Sequence, residues 1–321
     1  MSAPTELGAG IATADELAAE GDEHADEPAR EAQLRNVHWT PLRESLRQAW
    51  HCRHVVYGLG ARYMTLKRPN FILGIWWFPI RLVFNSVALA FIFGRILSVP
   101  SAPGVPYLLF VIGGTMIWFL FERGTRRTMA SFKEFKKELS TLSFPLILVP
   151  FASMAAFAVP LGFIAIFIAI VLIVYLGIDG TLYLQLPEVL YLAPIGLVWM
   201  ILAAVVVGLL TGPIFIRARD IRQLFRLVLP FLMFLTPVVY PLESLSATLQ
   251  TVVLANPLTP PVLLFKEGLI GTSGPPAWSI ASGAAVTALV LLGSLWFTNR
   301  YGPSALLRAG AQAEEDEDVL A

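Results

Sequence analysis

The residues able to do proton or metal chemistry are poorly placed for it. All four histidines (His24, His38, His51, His54) and the one cysteine, Cys52, precede every long apolar run. A single cysteine makes no internal disulfide and no metal framework. Within the apolar runs no His, Asp or Glu cluster forms, so neither a metal site nor a proton relay is evident. No lysine is followed by Ser or Thr, which excludes the phosphate loop GxxxxGK-Ser/Thr. The chain cannot use ATP by that route, so if it pumps, the energy comes from a partner.

Sharper candidates lie inside the apolar runs. Arg81 and Asn85 are four apart and share a helical face. An arginine within a membrane span is costly and points to a protein interior or a wet cavity. There it would contact an anionic or hydroxylated substrate. The alternative is snorkelling, or a pair with a backbone carbonyl, because the interface at Arg68-Pro69 is close. Trp76, Trp77, Phe78, Trp118, Phe119 and Tyr240 could stack on sugar rings or form interfacial aromatic belts. In residues 129–144, Phe132, Phe135, Leu139 and Leu142 recur at helical spacing, and Lys133, Glu134, Lys136, Lys137 and Glu138 fill the other face. Such a helix either inserts its apolar face into a groove of another protein or packs on its own chain's helix ends. The spacing allows both. Glu122-Arg123 reads as an interfacial pair.

The elements that must carry these residues are membrane spans. Of 321 residues, 56% are hydrophobic and only 14% charged, and apolar runs of 18 or more recur. One polytopic, all-α membrane domain accounts for the chain. Residues 1–36 hold nine of the 23 acids and residues 300–321 hold another five, and both read as solvated acidic tails, the first of them disordered. No charged-then-apolar signal peptide opens the chain, and no basic extension suggests nucleic acid. Residues 37–68 form an amphipathic helix lying in the interface, or a soluble helix on a neighbour, followed by a basic hinge of Arg62, Lys67 and Arg68. The membrane domain, residues 69–299, holds spans at about 75–96, 105–121, 146–177, 189–215, 227–239 and 280–297. A polar insert, 123–143, follows the second. The third is too long for one straight crossing, and Pro150 and Pro160 predict a kinked helix.

The fifth span is short, 13 apolar residues where roughly 20 are needed. A basic run, Arg217, Arg219, Arg222 and Arg226, precedes it. The pattern predicts a helix that stops partway, with a re-entrant piece from residues 241–276 completing the wall. Irregular backbone at that depth must be buried in protein or line a wet cavity. Lys and Arg number twenty in the segments on one side of these spans and one, Lys266, on the other. Six crossings with both termini cytoplasmic follow.

Several segments together carry a family resemblance. In order they are Arg62-Tyr63, Leu73-Gly74-Ile75-Trp76, Pro106-Tyr107-Leu108-Leu109-Phe110 through Trp118-Phe119, Phe144-Pro145 with Pro150, Arg217-Ala218-Arg219-Asp220-Ile221, Thr236-Pro237-Val238-Val239-Tyr240-Pro241, and Asn256-Pro257-Leu258-Thr259. With these the chain resembles the membrane subunit of type-2 ABC export permeases, in particular the exporters of O-antigen, teichoic acid and mycobacterial galactan. The acidic N-terminal extension is longer than that pattern.

The resemblance implies a homodimer joined to two ABC ATP-binding subunits, which hold ATP and Mg; no cofactor belongs to this chain. It implies that Phe132–Glu138 sit on a coupling helix docked in the ATPase, and that residues 40–58 are a gating helix. Spans one and five would line a conduit, bringing in Asn85, Trp118, Phe231, Phe234 and Tyr240. The implied cargo is a glycan on a polyprenyl diphosphate carrier, with Arg62, Lys67, Arg68 and Arg81 as phosphate contacts. The alanine-rich, lysine-poor composition turns the expectation toward galactan and a bacterial plasma membrane. Drug or small-lipid efflux stays open within transport, and outside it an intramembrane glycosyl- or acyltransferase or a passive channel. A transferase would want converging acids or histidines, and Asp179 and Glu188 have nothing obvious to pair with.

Overall fold

A computed structural model of the chain describes residues 42–51, 54, 58, 77–134, 147–154, 157–217 and 220–318. Every regular element among them is helical. The order is α1 (Leu42–His51), α2 (Trp77–Ala90), α3 (Tyr107–Glu134), α4 (Leu148–Met154), α5 (Ala158–Asp179), α6 (Leu192–Arg217), α7 (Asp220–Phe234), α8 (Ala247–Ala255), α9 (Thr259–Ile270) and α10 (Ala277–Asp318). Five helices, α2, α3, α5, α6 and α10, are long and apolar enough to cross a membrane. The pair α8 and α9, bent by 102°, makes a sixth broken or re-entrant element, and α7 is a shorter apolar helix. This is a polytopic all-α membrane protein. The end of the bundle carrying the basic segments is called the near end below, and the opposite end the far end.

α3 is the axis. Most of its span is buried, whereas α2, α5 and α10 bury only a small part of theirs. α6 packs along α3, and α9 and α10 pack on α6. Without a hydrophobic drive between helices in lipid, close backbone approach supplies the cohesion. Gly212 of α6 leaves the seat on which the Phe132 ring of α3 lies, and a Cβ on Gly196 would stand 2.5 Å from the Pro261 carbonyl oxygen of α9. Between α2 and α3, Ser86 Oγ and Thr115 Oγ1 are 2.7 Å apart, and each also bonds a carbonyl of its own helix.

Three expectations change. The second span does not end at residue 121: α3 runs unbroken to Glu134, so the first half of the polar insert is its continuation. The third span is not one kinked helix. α4 and α5 are separate, and Pro160 falls in the first turn of α5, where a missing N–H costs nothing. The last span continues as helix past residue 299 to Asp318. The expected start of the first span, about residue 75, lies outside the described residues; from Trp77 the helix runs to Ala90 and closes in widened π-type turns over Phe91–Ile96. Helix α1 falls where the interfacial helix was expected and touches α10.

Candidate functional site

The expected interruption is present. α7 stops at Phe234, and residues 235–241 leave the helix before α8 begins. Thr236, Val238 and Val239 are fully buried, and Pro237 and Pro241 have no N–H. Irregular backbone in lipid is tolerated only if its polar groups find partners, each unmet group costing several kcal/mol. Here the partners are specific. The Tyr240 hydroxyl donates to the Phe234 carbonyl at 3.0 Å. Asn256 Nδ2 donates to the Leu235 carbonyl at 3.4 Å and to Thr236 Oγ1 at 3.1 Å. The Val238 amide serves the Thr236 carbonyl at 2.7 Å. Lys266 Nζ donates to the carbonyls of Pro237 at 2.9 Å and Val238 at 3.3 Å. The Tyr107 hydroxyl donates to the Val239 carbonyl at 2.6 Å. The backbone of Val238 also lies directly against Gly114 of α3.

Lys266 is the residue sequence reasoning missed. Counted as the lone cation of a far-side loop, it is in fact completely buried in α9, with Nζ 3.2 Å from the centre of the Phe110 ring. Two carbonyls and one ring face meet the ammonium, as a desolvated cation requires. A Lys266-Glu267 pair set between the apolar runs Pro260-Pro261-Val262-Leu263-Leu264-Phe265 and Leu269-Ile270 was the available signal. The re-entrant pair is itself braced. Asn256 Oδ1 accepts from the Leu258 amide, Thr259 Oγ1 bonds the Val253 carbonyl, and Ser279 at the start of α10 bonds the Leu254 carbonyl.

A second region is made by exposed side chains of α2 and α7. Arg81 and Asn85 are both exposed on α2. On α7, Phe231 is 68% exposed and Phe234 44%. The π-type turns that follow α2 meet the end of α7, where Phe93 stacks on Phe234, ring centres 5.9 Å apart. Among the described residues no partner meets Arg81 or Asn85. The other lipid-length faces differ: along α5 from residue 161 to 178 and along α10 from 284 to 296 every exposed side chain is apolar. An apolar groove of about 530 Å³ between α6 and α10, walled by Ile195, Val198, Trp199, Ala288 and Leu291, presents no polar group because the Trp199 indole is turned onto Thr287.

The remaining candidates divide. Trp118 is buried in the core beside Phe121, on the side of α3 that its neighbours cover. Phe132 is likewise fully buried, packed with Ile147, Val205, Leu209 and Leu295. Of the two meanings its spacing allowed, this side chain takes the internal one. Tyr240 spends its hydroxyl on the α7 break. Glu122 pairs with Arg126, one turn on, rather than with Arg123, which lies over Phe119. Lys133 and Glu134 are in the last turn of α3, with Glu134 exposed. Phe135, Lys136, Lys137, Glu138, Arg62, Lys67 and Arg68 lie outside the described residues.

The family model for ABC-2 type transporters matches residues 56–269, about two thirds of the chain. The chain belongs to the ABC-2 type transporter family. It is therefore a membrane permease subunit of an ABC exporter, a class of transporter that works with ATP-binding subunits. Among curated proteins none matches it. The matched region of this ABC-2 permease contains the exposed side chains of α2 and α7, the α7 break and all of α9 but its last residue.

Proposed function

We propose that this permease exports a lipid-linked polysaccharide from the cytoplasm to the outer face of a bacterial plasma membrane, with a polyprenyl-diphosphate-linked cell-wall galactan as the first candidate cargo. A second copy of the chain and two separate ATP-binding-cassette subunits complete the assembly, and those subunits hold ATP and Mg. Both termini lie in the cytoplasm, which makes the near end cytoplasmic.

The observation that carries the reading is the exposed polar pair Arg81 and Asn85 on α2, together with the exposed rings of Phe231 and Phe234 on α7. Exposed to lipid, an unpartnered guanidinium and amide within a span are costly. Opposite a second copy, the same side chains line a wet conduit. Arg81 then meets the carrier phosphates by charge-assisted hydrogen bonds, Asn85 meets hydroxyls, and the phenylalanine rings offer flat apolar surface to the apolar faces of sugars. Arg62, Lys67 and Arg68 extend the phosphate path toward the cytoplasm. Phe135 to Glu138, with Lys133 and Glu134, carry the coupling to the ATPase, without Phe132. Residues 1–36 form an acidic cytoplasmic tail, and residues 37–68 the gating segment.

The test is affinity purification from the protein's own membranes in mild detergent, paired with labelling of surface glycan in depleted cells. An ATP-binding subunit in near-equal amount, and labelled glycan retained inside depleted cells, are the expected results. A preparation free of any ATPase would return the transferase and channel readings. Normal surface glycan with lost efflux would move the cargo to a drug or small lipid.

A further inference from the structure

Three elements converge on one ammonium. Lys266 belongs to α9, its two carbonyl acceptors belong to the segment that ends α7, and its ring partner Phe110 belongs to α3. The α7 segment therefore cannot shift away from the re-entrant pair without exposing two buried carbonyls and an unpaired cation. Four residues before Phe234 stands Pro230, inside α7. It has no N–H to give the preceding turn, so the helix has a weak point between its near half and its anchored far end. Among the described residues the near half has no such polar anchor: Phe225 packs against the core, and Leu224 and Leu227 are largely exposed.

We propose that Lys266 is a positioning residue for transport: it holds the α7 break on the re-entrant pair, so that α7 flexes at Pro230 and the far mouth moves as one body with α9. The inference rests on the export reading. An ammonium suits this task. Its hydrogen bonds can swing between adjacent carbonyls, here at 2.9 and 3.3 Å, while the attachment persists. A methionine of similar length fills the space but releases the segment.

The experiment uses the full chain assembled with its ATP-binding partner in native membranes, in a Cys52→Ser background with Val239→Cys as a reporter. Val239 is completely buried beside the pin. A membrane-impermeant maleimide should leave the reporter thiol unlabelled when Lys266 is present. In Lys266→Met we expect assembly and ATP hydrolysis within about twofold of the parent, a labelled reporter, and surface delivery of radiolabelled glycan reduced about tenfold or more. A merely structural lysine would lower assembly, hydrolysis and transport together, and that result overturns the proposal. An unlabelled reporter, or a labelled one with normal transport, overturns it as well. Should Lys266→Met fail to insert, Phe110→Leu keeps both hydrogen bonds and removes the ring; partial labelling with about threefold less transport is expected, and parental behaviour overturns the proposal. Labelling of the reporter needs no cargo. A failure of the glycan reading, seen as parent cells that deliver no glycan, is thus distinct from a failure of the pin.

Discussion

Lys266 and Arg81 are both cations set within apolar helices, and the fold treats them in opposite ways. Around Lys266 every donor has a destination: two carbonyls and a ring face, all buried. Around Arg81 the described residues offer nothing, and the side chain lies open one turn from Asn85. The first region is closed within one chain and its cation serves the backbone. The second is open, and its cation waits on something the single chain does not supply. Burial and satisfaction together separate a charge that serves its own chain from one held out to a ligand far better than the presence of charge in a span does.

The contrast can be broken from the closed side first. Gly196→Val should be the most damaging change, because its Cβ would press on the backbone of α9 at Pro261 and Phe265, neither of which can yield. A loss of more than about 4 kcal/mol is expected, enough that little folded protein survives solubilisation; ordinary recovery with an unchanged Tm would mean the re-entrant pair is not seated on α6. Phe132→Ala comes next. Its ring fills the space over Gly212, so truncation should cost about 3–4 kcal/mol and lower Tm by several degrees. An unchanged Tm with transport uncoupled from ATP hydrolysis would restore this residue to the docking surface. Tyr107→Phe removes a single cap and leaves the Val239 carbonyl unmet. The expected loss is about 1–2 kcal/mol, measured by thermal unfolding in detergent; no loss would mean that water reaches the break.

The closed and open regions also show what a sequence can and cannot disclose. The stop in α7 was legible because 13 apolar residues cannot span a bilayer by themselves. The re-entrant pair followed from the same shortage, and the glycine–aromatic fit of Phe132 did not. A Phe at helical spacing among lysines reads alike whether it docks on a partner or on Gly212, since period reports a face and never the neighbour on it. Lys266 was hidden for a related reason. Its burial depends on α9 folding back against residues 237 and 238, about thirty positions earlier, and no local pattern records that distance. The burial of Trp118 was equally hidden, because α3 is covered on nearly all sides, a property of α6 and α9 and not of α3. Arg81 and Asn85, by contrast, were singled out by type alone: a polar pair within a span is rare enough to mark a site without knowledge of its surroundings.

The smallest expected effect on stability is therefore the most informative one. The direct measurement is Tm and export determined on the same preparations of Arg81→Ala assembled with its ATP-binding partner. The open-region account predicts a change in stability within about 0.5 kcal/mol together with a fall in export of about tenfold, as expected when one charge-assisted contact to the cargo is lost. A lowered Tm with export reduced only in proportion to the folded protein would make Arg81 a merely structural residue, and would remove the exposed side chains of α2 and α7 as the conduit.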